Sequence, residues 1–169
     1  PLKIESLGGK LRATTGIHEQ ILAWERGQWG DEWAGYVSAQ IAATTHPDAR
    51  HPAVPEIFVA LDDAGAPMGC IMLLAEDMTT RPDLTPWIGG LYVDPAYRSR
   101  GVASALMIRA LDEAALAGIE TIWLYTEDQR ALYERFGWRA VEQADYEGQP
   151  VDIMRFDFVE RVAASPAGT

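Results

Sequence analysis

An α/β fold is what this sequence predicts, and three observations carry the prediction. Apolar strand-like runs and amphipathic helical stretches alternate along the chain, with Gly, Pro and Asp marking the joints. The apolar run Trp87 to Val93 leads through a glycine-containing turn into a helix striped by Val102, Leu106, Ala110 and Ala114. Two further apolar runs, Glu56 to Leu61 and Met68 to Glu76, flank Asp62-Asp63-Ala64-Gly65, a hairpin signal. At 169 residues, 48% apolar and 23% charged, the chain suits one globular domain with one sizeable core. That domain is expected over residues 1–160, with 161–169 a disordered, small-residue tail.

Each element has its own signal. Leu2 to Leu7 reads as a first strand ending at Gly8-Gly9. Thr15 to about Thr45 reads as two helices broken near Gly27 to Gly30, followed by a loop from Ala43 containing Pro47, Pro52 and Pro55. Asp77 to Pro86 is a polar loop. The helix from Val102 extends to Ala117, with Gly118 at its C-cap. Thr121 to Tyr125 is a strand, Gln129 to Phe136 a helix and Trp138 to Gln143 a strand; Asp145 to Pro150 turns the chain into Val151 to Phe158.

The stretch Val93 to Leu106 holds the most chemistry. A helix N-terminus offers free backbone N–H groups and the positive end of the helix dipole. Gly101 and Ala103 allow close approach to the main chain, and Arg98 and Arg100 add two cations. These features describe a pyrophosphate cradle. Arg98-Ser99-Arg100-Gly101-Val102-Ala103 also fits the pattern Arg/Gln-x-x-Gly-x-Gly/Ala, and Val93-Asp94-Pro95-Ala96-Tyr97 supplies a Val-x-Pro-x-Tyr lead-in. Downstream, Ala131-Leu132-Tyr133-Glu134-Arg135-Phe136-Gly137-Trp138 forms a helix that turns into a strand at glycine. Thr126 and Gln129 there fit a capping box.

Together these segments resemble the coenzyme A-binding signature and the Ala-x-x-Tyr-Glu-x-x-Gly-Phe segment of the GNAT superfamily, the acyl-CoA-dependent N-acyltransferases. The resemblance implies a mixed central sheet of about six to seven strands, flanked by helices and splayed between the fourth and fifth. It implies acetyl-CoA as cosubstrate, with no metal. The pyrophosphate would lie on Arg98, Ser99, Arg100, Gly101, Val102, Ala103 and Ser104, and the pantetheine arm along Leu91, Tyr92 and Val93. A backbone N–H near Leu91 or Tyr92 would face the developing oxyanion. Tyr133, protonated at neutral pH, would be the general acid toward the departing thiolate.

Two positions depart from the family pattern. Some members carry a carboxylate about eleven residues before the signature; Trp87 stands there and cannot take a proton. Glu76 is the expected base, with Asp77 and Asp83 as alternatives, or all three are solvated loop charges. Where many members have a cofactor-binding asparagine, this chain has Thr126, Asp128 and Gln129; Gln129 is the expected replacement, or it only caps the helix.

The expected activity is acetyl transfer to a primary amine, small molecule or peptide, by direct attack in a ternary complex. The competing reading is an acyl-CoA sensor that keeps the fold and has lost catalysis. Trp24, Trp29, Trp33 and Tyr36 form either a core face or an aromatic wall for a cation, with Glu25, Asp31 and Glu32 nearby. Tyr146 and Glu147 are further acceptor-side candidates. A net charge of −11 argues against nucleic acid, and no run is long enough to span a membrane. His46 and His51 lie five apart with no further Cys or His close in sequence, so a metal site is not expected there, and Cys70 in its apolar run reads as inert core. Neither a Gly-x4-Gly-Lys-Ser/Thr loop nor a Gly-x-Gly-x-x-Gly fingerprint occurs. One cysteine and the lack of a basic-then-apolar leader suggest a cytoplasmic protein; family habit suggests a homodimer.

Overall fold

A computed structural model describes residues 2–46 and 53–158. Strand β1 (Lys3–Ser6) is followed by helices α1 (Thr15–Trp29) and α2 (Asp31–Thr45), then β2 (Glu56–Leu61), β3 (Pro67–Leu74) and β4 (Trp87–Val93). Helix α3 (Val102–Leu116), β5 (Thr121–Thr126), α4 (Arg130–Arg135), β6 (Arg139–Tyr146) and β7 (Gln149–Asp157) complete the order. The strands form one mixed sheet in the order β1-β2-β3-β4-β5-β7-β6. Among the described strands only β4 and β5 run parallel.

Each face of the sheet carries its own apolar cluster. Ile17, Ile21 and Trp24 of α1 and Val37 and Ile41 of α2 pack with Val59, Met72 and Trp87 on one face. Val102, Leu106, Met107, Ala110, Leu111 and Ala114 of α3 pack with Phe58, Ile71, Ile88 and Leu124 on the other. The buried stripe of α3 is therefore wider than the i, i+4 row read from sequence. A full helical face, not one ridge, covers the central strands.

Most elements fall where the sequence placed them. The two first helices part at Gly30, whose φ of +93° suits glycine. The last hairpin is longer and tighter than expected. Its strands run to Tyr146 and resume at Gln149, leaving only Glu147 and Gly148 as the turn, at φ +51° and +80°. Two successive positive φ values make the compact turn whose twist matches a hairpin. A 3-10 turn at Pro95–Tyr97, unread in the sequence, is fixed by the Asp94 side chain accepting the Ala96 N–H at 2.9 Å. The core reading of the early aromatics holds for Trp24, which is buried, and fails at Trp29, which is 45% exposed. Residues 47–52 of the proline-rich loop, His51 among them, and the tail 161–169 lie outside the described residues. No helix among the described residues is long and apolar enough to cross a membrane.

Candidate active site

The site begins with a strand that leaves its neighbour. β4 and β5 are in register at one pair, Trp87 with Trp123, beside a hydrogen bond from the Trp123 N–H to the Pro86 carbonyl. β5 stays paired with β7 along its whole length, so past Trp87 the two parallel strands diverge and a slot opens between them. Trp87 anchors the closed end: it is fully buried and donates its indole N–H to the Leu84 carbonyl at 2.7 Å.

A bulge sits in the open part of β4. Cys70 pairs with Tyr92 and Met72 with Gly89, so Gly90 and Leu91 together oppose Ile71. Trp87 and Tyr92 belong to the cluster under α1 and α2, whereas Ile88, Leu91 and Val93 belong to the cluster under α3. Normal alternation between Trp87 and Tyr92 would break without the extra residue. The bulge therefore turns Gly89 and Gly90 to the same side, toward α1 and α2. A Cβ at Gly89 would stand 2.6 Å from Asp77 Oδ2; one at Gly90, where φ is +60°, would stand 2.5 Å from Glu25 Oε1. Two adjacent glycines thus leave a bare patch of main chain with a carboxyl group against each.

Those carboxyls are unusual. Glu25 is fully buried, yet no lysine or arginine among the described residues bonds it. Its Oε1 accepts the Trp33 indole N–H at 3.1 Å, and its Oε2 lies 3.9 Å from the Cys70 thiol. Burial, reinforced by the charge of Asp77, pushes the Glu25 pKa up to about 8 against the pull of these two donors. Asp77 is half-buried, and burial followed by the charge of Glu147 raises it to about 7. Glu76 is exposed; its carbonyl accepts the Tyr36 hydroxyl at 2.6 Å. Asp83 is tied to Arg81 by two 3.1 Å contacts, which hold it below the usual carboxylate range.

Two aromatic rows each contribute a tyrosine within charge range of Asp77. Trp29, Trp33 and Tyr36 form a row with centroids 6.3 and 5.3 Å apart. Trp87, Tyr125 and Tyr146 form a second row, at 6.2 and 5.3 Å. Burial, and then the charge of Asp77, raises the phenols of both Tyr36 and Tyr125, so that charge acts on each row. Tyr146 fastens the connecting loop by accepting the Thr79 N–H at 3.2 Å. Asp31 is committed to Arg26 at 3.0 Å, and Glu32 is exposed.

At the far end of β4 the chain passes through the 3-10 turn into α3. Ser99 and Gly101 both take left-handed φ, +62° and +77°. The first turn of α3 has no side-chain cap and no acidic residue, so its N–H groups, at Val102, Ala103 and Ser104, present the positive end of a four-turn helix. A Cβ at Gly101 would meet nothing within 4 Å, so the loop is open above its main chain. Arg100 lies over the Tyr97 ring at 5.7 Å. Arg98 spends its Nε on the Val93 carbonyl at 3.0 Å and lies 5.7 Å from the Tyr92 ring centroid, which holds the guanidinium at the strand end. Its position there follows from the turn and could not be read from the motif alone.

Because β4 and β5 are parallel, the elements that follow them emerge on the same side of the sheet. Helix α4 follows β5 as α3 follows β4. Tyr133 of α4 packs against the apolar cluster that Leu91, Val93 and Tyr97 also line. Burial, with Asp128 adding to it, raises its phenol, so it stays protonated well beyond neutral pH. Half of the expected capping box forms: Thr126 Oγ1 accepts the Gln129 N–H at 3.0 Å, while the Gln129 side chain is exposed. Gly137, at φ +100°, ends the helix. The structure thus brings Leu91 to Val93, Arg98 to Ser104 and Tyr133 to one end of the sheet, with Asp77 beside the bulge. Glu25 was legible only as an acidic residue near aromatics, because no sequence signal places α1 under the bulge. A hollow of about 640 Å³ bordered by Leu111, Arg135 and Phe156 shares none of these residues. No group of three or more His, Cys, Asp or Glu suited to a metal occurs among the described residues.

Comparison with known proteins fits this geometry. The sequence profile described as "Acetyltransferase (GNAT) family" matches residues 17–138. No curated protein matches the chain in sequence. Solved structures share the fold. The spermidine/spermine N-acetyltransferase SpeG from Vibrio cholerae is 18% identical over 98% of this chain and 99% of its own, with a TM-score of 0.68. An aminoglycoside 6'-acetyltransferase type Ii is 18% identical over 92% and 96%, also at 0.68. A GNAT family acetyltransferase from Elizabethkingia anophelis, solved with acetyl-CoA bound, is 15% identical over 92% and 97%, at 0.62. With most of its length matched by the profile, this chain belongs to the acetyltransferase (GNAT) family.

Proposed function

We propose that the protein transfers an acetyl group from acetyl-CoA to a primary amine of a small cationic acceptor. The observation that carries the proposal is the opening of β4 from β5 beside a bare glycine bulge, ending at an uncapped helix N-terminus. The donor set suits a pyrophosphate: Val102 to Ser104 offer unpaired N–H groups, Ser99 and Gly101 shape the loop, and Arg98 and Arg100 add charge. Acetyl-CoA supplies the activated carbonyl and the thiolate leaving group.

The chain's residues then have separable tasks. The exposed edge of Leu91 to Val93 orients the pantetheine arm by main-chain pairing. The Tyr92 N–H is engaged with the Cys70 sulfur, so the Leu91 N–H is the donor for charge building on the carbonyl oxygen. An ammonium nitrogen must give up two protons on becoming an amide. Asp77, raised to about 7, takes the first and passes it to water. The second ends on sulfur through Tyr133. Asp77 is preferred to Glu76 because its carboxylate, not that of exposed Glu76, lies against Gly89. The exposed Gln129 side chain is available to the cofactor.

Two aromatic rows within charge range of a carboxylate favour a cationic acceptor. Two proteins of the same fold, named for aminoglycosides and for spermidine and spermine, act on amines of that kind. The reading is tested by acetyl-CoA turnover against a panel of di- and polyamines, aminoglycosides and amino acids. Turnover restricted to the cationic members supports it; binding of acetyl-CoA without turnover of any amine would instead select the acyl-CoA sensor.

A further inference from the structure

Glu25 is a fully buried carboxyl whose bonds, among the described residues, go to an indole and a thiol. A charge so placed costs several kcal/mol unless something nearby compensates it, and packing supplies no reason for it. An isosteric glutamine would satisfy the Trp33 donor equally well. What distinguishes the position is what lies beyond it: Gly90, with no side chain, at the bulge where the slot opens, and Asp77 against the neighbouring Gly89.

We propose that Glu25 is a positioning residue for acetyl transfer, acting across the bulge through Asp77, whose capacity to take the ammonium proton it increases when it is ionised. The inference rests on the acetyltransferase reading above, with Asp77 as the base. The charge of Asp77 adds to the burial that raises Glu25; repulsion between two ionised carboxyls is mutual, so an ionised Glu25 holds the proton on Asp77 more tightly in turn. Burial raises both carboxyls toward or above neutral pH, so their two protons leave in successive steps that belong to the pair. Once both are charged, each binds a proton more tightly than it would alone, and the pair titrates as a unit. An approaching ammonium lowers the cost of that doubly charged state, so the acceptor itself helps to arm the base.

The surrounding groups allow this reading. Around Glu25 stand Trp33 from α2, the Cys70 thiol from β3 and Asp77 from the loop after β3. Burial pushes the Cys70 thiol well above its usual range, so it stays neutral throughout. Around Asp77 stand Glu147 of the last hairpin, Tyr36 of α2 and Tyr125 of β5, the two phenols both raised and neutral. No lysine or arginine is among the groups that act on either carboxyl among the described residues. The proton balance is that of the parent reaction: one proton from nitrogen to Asp77 and water, one to sulfur.

The test is the pH dependence of kcat/KM from pH 6 to 9.5, with 1,4-diaminobutane as acceptor, for wild type, Glu25→Gln and Trp33→Phe. The acceptor's own ionisation adds a slope common to all three proteins. The wild type should rise in two steps, near pH 7 and near pH 8. Glu25→Gln should lose the upper step, lowering the ratio of activity at pH 9 to that at pH 6.5 by about fivefold. Trp33→Phe removes the donor that favours the ionised carboxyl, and should move the upper step to higher pH. It decides the matter if Glu25→Gln does not fold. A single-step wild-type profile, or two steps unchanged in both variants, overturns the role of Glu25 and leaves the acetyltransferase reading standing. Acetyl-CoA binding with no turnover of this or any amine in the panel overturns that reading and this inference with it.

Discussion

Glu25 also leaves a mark on folding stability that needs no substrate to measure. Its folded pKa is raised from 4.5 to about 8. Below pH 4.5 the folded and unfolded chains both hold the proton. Between pH 4.5 and 8 only the folded chain holds it, so stability falls with rising pH, by up to about 1.4 kcal/mol per pH unit from this group. Above pH 8 the penalty is constant. Glu25→Gln is therefore expected to be more stable than wild type at pH 9 and to lose most of that advantage by pH 5, as read by urea unfolding at both pH values. An equal difference at both values would mean that Glu25 is ionised in the fold throughout. Tyr133 makes a different claim. Tyr133→Phe keeps the ring in its apolar cluster and removes the proton donor, so kcat should fall by about 10² or more with acetyl-CoA affinity unchanged. Loss of affinity with kcat intact would assign the ring to packing against the cofactor. Tyr133 was legible because its helix ends at a glycine with a recognisable spacing. The Glu25 contact was not, because it joins residues 65 positions apart, α1 to Gly90.

The β4 bulge is the element on which the site turns. Two adjacent glycines in a strand, Gly89 and Gly90, suit a bulge on sequence grounds alone. Invisible was the direction both would face, which depends on how β3 pairs with β4. Gly90→Ala places a methyl group 2.5 Å from Glu25 Oε1 and 2.7 Å from Met72 Sδ, at a φ of +60°. Left-handed backbone at a residue with a Cβ costs about 1 kcal/mol or more, and displacing a buried carboxyl adds to it. The expected result is a fold destabilised by about 1–3 kcal/mol whose residual activity is far lower than its folded fraction explains. Activity that tracked the folded fraction would remove the bulge from the chemistry. The hairpin between β6 and β7 shows the opposite limit of legibility. Asp145 to Pro150 carries strong turn signals, yet four of those six residues continue the strands. Cross-strand pairing of β6 with β7, which continues through Asp145–Pro150 and Tyr146–Gln149, overrides local preference there.

At the scale of the whole molecule, element order was readable from alternating patterns, and with it the α/β class. Strand order and the divergence of β4 from β5 follow from long-range pairing, which the sequence suggested only through its family resemblance. The divergence has a thermodynamic consequence. Leu91 to Val93 and the α3 N-terminus lie on elements whose contacts with β5 are few, so a ligand spanning them would tie together parts that the sheet leaves apart. A ligand that binds only the folded state adds about 2.7 kcal/mol at a hundredfold excess over its Kd. For a domain of this size that raises Tm by about 5–10 °C. Acetyl-CoA at saturation is expected to give a rise of this order. Arg100→Glu and Gly101→Asp each place negative charge where the pyrophosphate would lie, and Gly101→Asp also forces a Cβ onto a φ of +77°. Both should abolish the rise while retaining a cooperative transition of their own. Because the chain carries a net charge of −11, the loop's cations work against a repulsive background that salt screens within about 10 Å at 0.1 M. Raising salt from 0.05 to 0.3 M should therefore weaken acetyl-CoA binding only modestly if backbone N–H groups supply most of the hold, and steeply if Arg98 and Arg100 do. The partly engaged state of Arg98, with its Nε on Val93, favours the shallow dependence.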